Sequence, residues 1–219
     1  MPLPTQISNA VIYGNSPKFI KLIKNLYPDA NVTILPWRSS DSDASKLLAE
    51  TSIPVDLLLI CGYDYHSYHD TKKNYLLKNV HRIVSMCKQI VNAETKIVYI
   101  DTLDTSKLYT FSRYLFAKKM LAQELSTSYP MTRVLAIPTV YDEKNGICMQ
   151  GGVLSRIAAK LLIRRGLIQT INLKQLQNQL KSVIESPGSN VPFLLKIHPM
   201  LISIPRPQFI DRLLRMALG

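Results

Sequence analysis

Tyr114 and Lys118 are the residues whose types and spacing most clearly allow chemistry. They lie in the segment "SRYLFAK", four positions apart, so on a helix both side chains fall on one face, one turn apart. An ammonium placed there favours ionisation of the phenol, which can then act as a general acid or base. A second Tyr-x-x-x-Lys pair, Tyr68 and Lys72 in "YHDTK", shows that the spacing alone is not specific.

The elements that must position these side chains distinguish the two pairs. Short apolar runs typical of buried parallel strands are predicted at residues 10–14, 31–37, 55–62, 96–101 and 132–141. Helices are predicted between them at residues 17–27, 40–50, 70–92 and 108–127. This alternation predicts an α/β fold, a doubly wound parallel sheet of Rossmann type, in which ligands bind at the carboxyl ends of the strands.

Tyr114 and Lys118 fall on the helix that follows the fourth strand, and Thr102 lies at the end of that strand in "YIDT". Tyr68 and Lys72 come directly after the third strand, and we interpret them as surface residues. A strand-end hydroxyl, Tyr-x-x-x-Lys on the next helix and the following strand "RVLAIPTVY" together resemble the short-chain dehydrogenase/reductase family. The resemblance is greatest to its extended or atypical branch, which includes nucleotide-sugar epimerases and dehydratases.

The resemblance covers about residues 8–145 in element order and implies roles for three residues. In that family the Ser/Thr hydroxyl orients the substrate, the Tyr is the acid/base, and the Lys holds the nicotinamide ribose and lowers the Tyr pKa. Thr102, Tyr114 and Lys118 are the matching positions. The implied cofactor is NADP or NAD, and the implied substrate is a nucleotide sugar or another small carbonyl or alcohol compound.

The loop after the first strand departs from the family pattern. The family has glycines at the first, fourth and seventh positions of this loop, whereas "GNSPKFI" keeps only Gly14 and has Pro17 and Ile20 at the other two. Proline removes a backbone N–H donor. Isoleucine adds a branched side chain at a position where the family has glycine, which allows the helix to pack closely on the strand. Cofactor contacts are therefore expected from Gly14 and from the side chains of Asn15, Ser16 and Lys18.

Arg38 directly follows the second strand, where the family's cofactor choice is made. An arginine there can pair with a 2′-phosphate, which favours NADP over NAD. The alternative is an ordinary surface arginine beside Trp37.

The segment "GYDYHSYHD" (62–70) gathers Asp64, His66, His69 and Asp70 after the third strand. His-x-x-His spacing occurs in metal sites, but no third ligand elsewhere has a motif-like setting. We interpret the segment as a polar loop that lines the cleft, and we predict no metal site.

Composition limits the partners and the compartment. A net charge of +12 in 219 residues favours anionic ligands, but no run of five basic residues and no nucleic-acid-binding motif occurs, so nucleic-acid binding is not expected. No apolar run approaches the roughly 20 residues of a membrane-spanning helix. Three well-separated cysteines and the lack of a secretory signal predict reduced thiols and a cytoplasmic location.

The chain is predicted to form one domain over residues 1–219, with a nucleotide-binding-type core at 8–145 and a reduced C-terminal helical region at 146–219. Two amphipathic helices in that region, at 152–165 and 207–219, leave peripheral membrane contact, a protein partner and a homo-oligomer as alternatives. A second interpretation is a catalytically degenerate family member that serves as a binding or assembly subunit. The altered glycine loop, the short C-terminal part and the basic charge favour it.

Overall fold

The computed structural model describes residues 6–37, 54–102, 113–142, 146–147, 161, 163–165 and 169–186. Several predicted features lie outside these residues: the helices at 40–50 and 207–219, most of the helix at 152–165, and Arg38. No helix within the described ranges is long and apolar enough to cross a lipid bilayer.

Five parallel strands form the main sheet, in the order β2-β1-β3-β4-β5. Their bounds are β1 Asn9–Tyr13, β2 Asn31–Leu35, β3 Leu57–Ile60, β4 Lys96–Thr102 and β5 Thr132–Ile137. Each corresponds to one of the five predicted apolar runs. Because the chain turns from β1 to β2 on one side and reaches β3 on the other, the strand order reverses between β1 and β3. Ligands of open α/β sheets bind at such a switch point.

The described helices are α1 Pro17–Leu26, α2 Lys72–Leu76, α3 Arg82–Ile90, α4 Arg113–Ser128 and α5 Leu173–Glu185. A π-helical turn, Leu77–His81, joins α2 to α3, so the single helix predicted at 70–92 is continuous but widened in its middle. Pro17 occupies the first turn of α1, where a missing N–H costs little. A capping box between Asn172 and Gln175 starts α5.

Helices cover both faces of the sheet because successive strand residues point to opposite sides. Val11 and Tyr13 of β1 pack in one apolar cluster with buried residues of α2, α3 and α4. Ala10 and Ile12 pack in a second cluster with buried residues of α1 and α5. The predicted doubly wound, Rossmann-like architecture is therefore confirmed.

The fifth strand was predicted at residues 132–141, but β5 ends earlier, at Ile137. Pro138 interrupts it, because proline has no N–H to donate to a strand ladder. Beyond Pro138 the chain forms β6 Thr139–Asp142, which leaves the main sheet. There β6 pairs with β7 Gly146–Ile147 in antiparallel fashion and with β8 Thr170–Asn172 in parallel.

Helix α5 is held at its carboxyl end by two cations from the strands. Lys96 Nζ donates to Ile184 O at 3.1 Å, and an Arg133 guanidinium N–H donates to Ser186 O at 3.1 Å. Cations at a helix carboxyl end interact favourably with its exposed carbonyls and dipole. Burial lowers the pKa of Arg133, so this contact offsets a cost of desolvation. The contact fixes α5 on the sheet.

Candidate active site

Thr102, Tyr114 and Lys118 meet at the carboxyl end of β4. The hydroxyl oxygens of Thr102 and Tyr114 are 2.8 Å apart, within hydrogen-bond distance. Both residues are only partly buried. Lys118 lies one turn after Tyr114 on α4, and its Nζ is 5.6 Å from the centroid of the Tyr114 ring. The three residues predicted from the sequence are therefore neighbours.

The Lys118 ammonium is buried, with the residue 6% exposed. It donates a 2.7 Å hydrogen bond to Ile100 O and lies 5.2 Å from the centroid of the Tyr99 ring. Carbonyl oxygens and aromatic faces both interact favourably with a cation. Its field reaches Cys61, where it opposes the effect of burial that raises the pKa of the thiol to about 12.

Asp101 and Lys119 fix the backbone around Thr102. Asp101 is 1% exposed, and its Oδ1 accepts the Thr102 N–H at 2.7 Å. Its Oδ2 pairs with Lys119 Nζ, which also donates to Thr102 O at 3.3 Å. Both peptide groups of Thr102 are thus bound to one ion pair. Neither Asp101 nor Lys119 was predicted as a site residue, although Asp101 adjoins Thr102 and Lys119 adjoins Lys118.

Arg113, the residue before Tyr114, anchors the loop after β3. Its guanidinium donates to Tyr68 O at 2.7 Å and to Asp70 O at 2.9 Å, and lies 4.3 Å from the Tyr75 ring centroid. The side chain is fully buried, with 0% exposure. The same loop places the Tyr63 ring edge-on to Tyr114, with centroids 4.7 Å apart. Arg113 therefore links the loop to the candidate acid/base.

Polar residues inside the loop have structural partners. Asp64 accepts the backbone N–H of His66 at 3.1 Å and caps the short 3-10 helix Tyr65–His69. Asn79, in the π-helical turn, accepts Asp64 N–H at 2.9 Å and donates to Ser67 Oγ and Tyr75 O. Within the described residues, no group of three or more His, Cys, Asp and Glu side chains is placed to bind a metal. Tyr63 brings the loop against Tyr114, whereas His66 and His69 are exposed.

The interpretation of Tyr68 and Lys72 as surface residues is wrong for Tyr68. Tyr68 is 1% exposed, its ring packs edge-on to Tyr75, and its carbonyl accepts from Arg113. The two residues also lie on different elements, because Tyr68 belongs to the 3-10 helix and Lys72 begins α2. A local spacing rule could not reveal this, because the contacts of Tyr68 include Arg113, 45 residues away in sequence.

The loop between β1 and α1 has glycine at only one of the three positions where the sequence comparison expects it. Gly14 keeps a positive φ of 128°, and a Cβ there would lie 2.6 Å from Gly62 N, so this position requires glycine. Asn15 is exposed, and the Ser16 side chain makes no capping hydrogen bond to α1. Ile20 packs against the second apolar cluster, so its side chain belongs to the core.

Trp37 fills the space above Gly62. A Cβ built on Gly62 would lie 2.1 Å from Trp37 Cε3, and the indole stacks on Tyr13 with ring centroids 4.9 Å apart. We call the space at the carboxyl ends of β1 and β3, bounded by Gly14, Gly62 and Trp37, the switch-point crevice. The hydroxyl groups of Thr102 and Tyr114 thus lie at the end of β4, whereas the Trp37 indole occupies the crevice at the ends of β1 and β3.

No protein-family model and no curated protein matches the chain by sequence. Solved structures do match it. They include dTDP-4-dehydrorhamnose reductase from Bacillus anthracis str. Ames in complex with NADP (12% identity, 83% of this chain and 72% of that chain, TM-score 0.57). Helicobacter pylori ADP-L-glycero-D-manno-heptose-6-epimerase also matches (10% identity, 84% and 76% coverage, TM-score 0.55). A short-chain dehydrogenase/reductase from Serratia marcescens is similar too (10% identity, 84% and 92% coverage, TM-score 0.55).

These similarities concern the fold. The chain has a Rossmann-like fold, similar to that of the Serratia marcescens short-chain dehydrogenase/reductase and of the two enzymes named for nucleotide-sugar substrates. The resemblance inferred from the sequence is therefore confirmed at the level of architecture. At 10–12% identity, chemistry must be argued from the side chains of this chain.

Proposed function

We propose that the chain is an NAD(P)-dependent reductase or epimerase/dehydratase-like enzyme acting on a hydroxyl or carbonyl group of a sugar or other small substrate. One observation carries the proposal: the Thr102 and Tyr114 hydroxyl oxygens are 2.8 Å apart, with the buried Lys118 ammonium beside the Tyr114 ring. An acid/base, an orienting hydroxyl and a stabilising cation are what proton transfer to or from a substrate oxygen requires.

Each residue has a separate role in this proposal. The Thr102 hydroxyl donates to the substrate oxygen and holds it beside the Tyr114 hydroxyl, which transfers the proton. Lys118 favours the ionised phenol through its positive charge. Asp101 and Lys119 keep Thr102 in place, so the substrate oxygen meets a preorganised pair of hydroxyl groups. A bound nicotinamide would supply or accept the hydride equivalent.

The chain's own residues would hold the cofactor in an altered way. Gly14, Asn15 and Ser16 lead into the amino terminus of α1, where the helix dipole favours a phosphate. Lys18 adds a positive charge in the first turn, which carries no acidic residue. Pro17 removes one backbone donor, so side chains must replace part of the usual backbone cradle. Arg38 stays a candidate for choosing NADP over NAD.

The structural neighbours support a nucleotide-sugar substrate. Two of them are named as a dTDP-4-dehydrorhamnose reductase and an ADP-L-glycero-D-manno-heptose-6-epimerase, and the reductase is in complex with NADP. The test is a thermal-shift panel with NAD, NADP and nucleotide sugars. A ligand at 100 times its dissociation constant stabilises a protein by about 2.7 kcal/mol. No stabilisation by any of these ligands contradicts the proposal.

Variants then separate binding from chemistry. Tyr114→Phe should retain cofactor binding and lose turnover, because it removes the hydroxyl that transfers the proton and contacts Thr102, while the ring stays. Tyr129→Phe is the matched control: it removes a hydroxyl that donates to Val84 O at the other end of α4. Full turnover by Tyr114→Phe would remove this residue from the mechanism.

The second candidate function is a non-catalytic binding or assembly subunit, in which the active-site geometry is retained without cofactor chemistry. The filled switch-point crevice favours it, together with Pro17 and Ile20 in the glycine loop. This alternative predicts no stabilisation by any dinucleotide. It also predicts that Tyr114→Phe leaves the biological function unchanged.

A further inference from the structure

Trp37 lies at the switch point of the main sheet, where open α/β sheets bind their ligands. Its neighbour Tyr13 is the last residue of β1, and its neighbour Gly62 follows β3. These two strands flank the switch point. Ligands of this architecture lie across such strand ends, and glycine is used there so that the ligand can approach the backbone. Gly62 provides that bare backbone, but the indole covers it.

The N–H group of the buried indole lacks a hydrogen bond to the described residues in this position. Trp37 is 9% exposed, and its Nε1–H makes no hydrogen bond to the described part of the chain. A buried donor without a partner is costly, and tryptophan is usually buried only where its N–H finds one. The packed position is therefore less stable than its apolar contacts alone would suggest, which lowers the cost of displacing the ring.

We propose that Trp37 controls access of the cofactor to the switch-point crevice. In the ligand-free protein the indole occupies the crevice, and it leaves when the adenosine half of NAD or NADP enters. This inference rests on the proposed function. Because the indole must first move, the measured dissociation constant is the intrinsic one divided by the fraction of molecules in which the crevice is open.

The unmodified protein provides a direct test, because Trp37 is its only tryptophan. Its fluorescence is measured with the neutral quencher acrylamide, with and without saturating NAD⁺ or NADP⁺. We expect emission to shift to the red and the bimolecular quenching constant to rise about twofold or more when the ligand binds. A lower quenching constant would mean that the ligand covers an indole that stays in place, and it would overturn the proposal.

A variant gives the second test. Trp37→Ala should bind NAD⁺ or NADP⁺ about tenfold more tightly than the wild type, as expected if the open crevice is populated at roughly one part in ten. Dissociation constants are measured by calorimetry. Tyr129→Ala is the control for loss of a large ring. Tyr129 lies between α4 and the amino end of β5, away from the carboxyl ends of β1 and β3, so its removal should leave the dissociation constant unchanged.

The outcomes separate this inference from the proposed function. Binding to the wild type with equal or weaker binding to Trp37→Ala rejects the role of Trp37 and leaves the proposed function standing. Binding to neither protein rejects both. If Trp37→Ala does not fold, the quenching measurement on the wild type still decides the question.

Discussion

Gly62→Ala should destabilise the protein through one identifiable contact, the indole of Trp37. The added methyl group would lie 2.1 Å from Cε3, against the roughly 3.5–4.0 Å of a normal carbon–carbon contact. Gly62 has no left-handed φ, so the substitution causes no backbone strain. Overpacking of this kind costs about 1–3 kcal/mol. We expect the free energy of unfolding to fall by about 2 kcal/mol.

The contact can be isolated by removing the ring. In a Trp37→Ala background the atoms that oppose the new methyl group are gone, so Gly62→Ala should cost less than about 0.5 kcal/mol. The resulting coupling energy is about 1.5 kcal/mol. Urea unfolding of the four proteins measures it, and a slope of about 2 kcal/mol per molar converts 2 kcal/mol into a midpoint shift of about 1 M.

Gly14→Ala is the matched control for this cycle. Its methyl group would meet the backbone nitrogen of Gly62 at 2.6 Å, and its φ of 128° strains any other residue. Such strain costs about 1–3 kcal/mol and does not depend on Trp37, so the Trp37→Ala background should not relieve it. If Gly62→Ala costs the same with and without the indole, then Trp37 does not cover Gly62 and the inference about the crevice fails.

Three further predictions concern the core, the active site and helix α5. Burial raises the pKa of the Cys87 thiol to about 12, so the unfolded thiol ionises first as the pH rises, and stability is lost between about pH 9 and pH 12. Over this pH range the free energy of unfolding should fall with pH by about 1.4 kcal/mol per pH unit less in Cys87→Ala than in the wild type. Equal slopes in the two proteins would show that Cys87 is not the group responsible. Lys118→Met should move the pH profile of substrate oxidation to higher pH, because the Tyr114 phenolate loses a neighbouring positive charge. An unshifted profile would exclude Lys118 as the group that stabilises the phenolate. Arg133→Met should destabilise the protein by about 1–2 kcal/mol, because the hydrogen bond to Ser186 O is lost. The control Lys88→Met, at an exposed position, should change the stability little. Equal effects of the two substitutions in urea unfolding would argue against the contact.

The sequence predicted what depends on local pattern. Five apolar runs gave five parallel strands, because strands buried on both faces leave a nearly continuous apolar signature. The pair Tyr114 and Lys118 could be chosen over Tyr68 and Lys72 because the fold brings the strand-end residue Thr102 to the first pair. Order of elements and local spacing were sufficient for that choice.

Contacts distant in sequence could not be predicted in this way. Arg113 donates to backbone carbonyls 43 and 45 residues away. Trp37, which follows β2, covers Gly62, which follows β3. Neither residue carries a motif, and an arginine at 0% exposure contradicts the usual preference of its type. Pro138 did carry a signal, because a proline inside an apolar run indicates the end of a central strand.

Whether Tyr114 is the acid/base of a nicotinamide-dependent reaction is decided by comparing cofactor turnover in Tyr114→Phe and the wild type, at equal cofactor saturation. Absorbance of the reduced nicotinamide is followed with a panel of nucleotide sugars and small carbonyl compounds. We expect turnover by the wild type with at least one substrate, and a loss of about 100-fold or more in Tyr114→Phe with unchanged cofactor affinity. Equal turnover by the two proteins, or bound cofactor that the wild type never oxidises or reduces, would contradict this expectation.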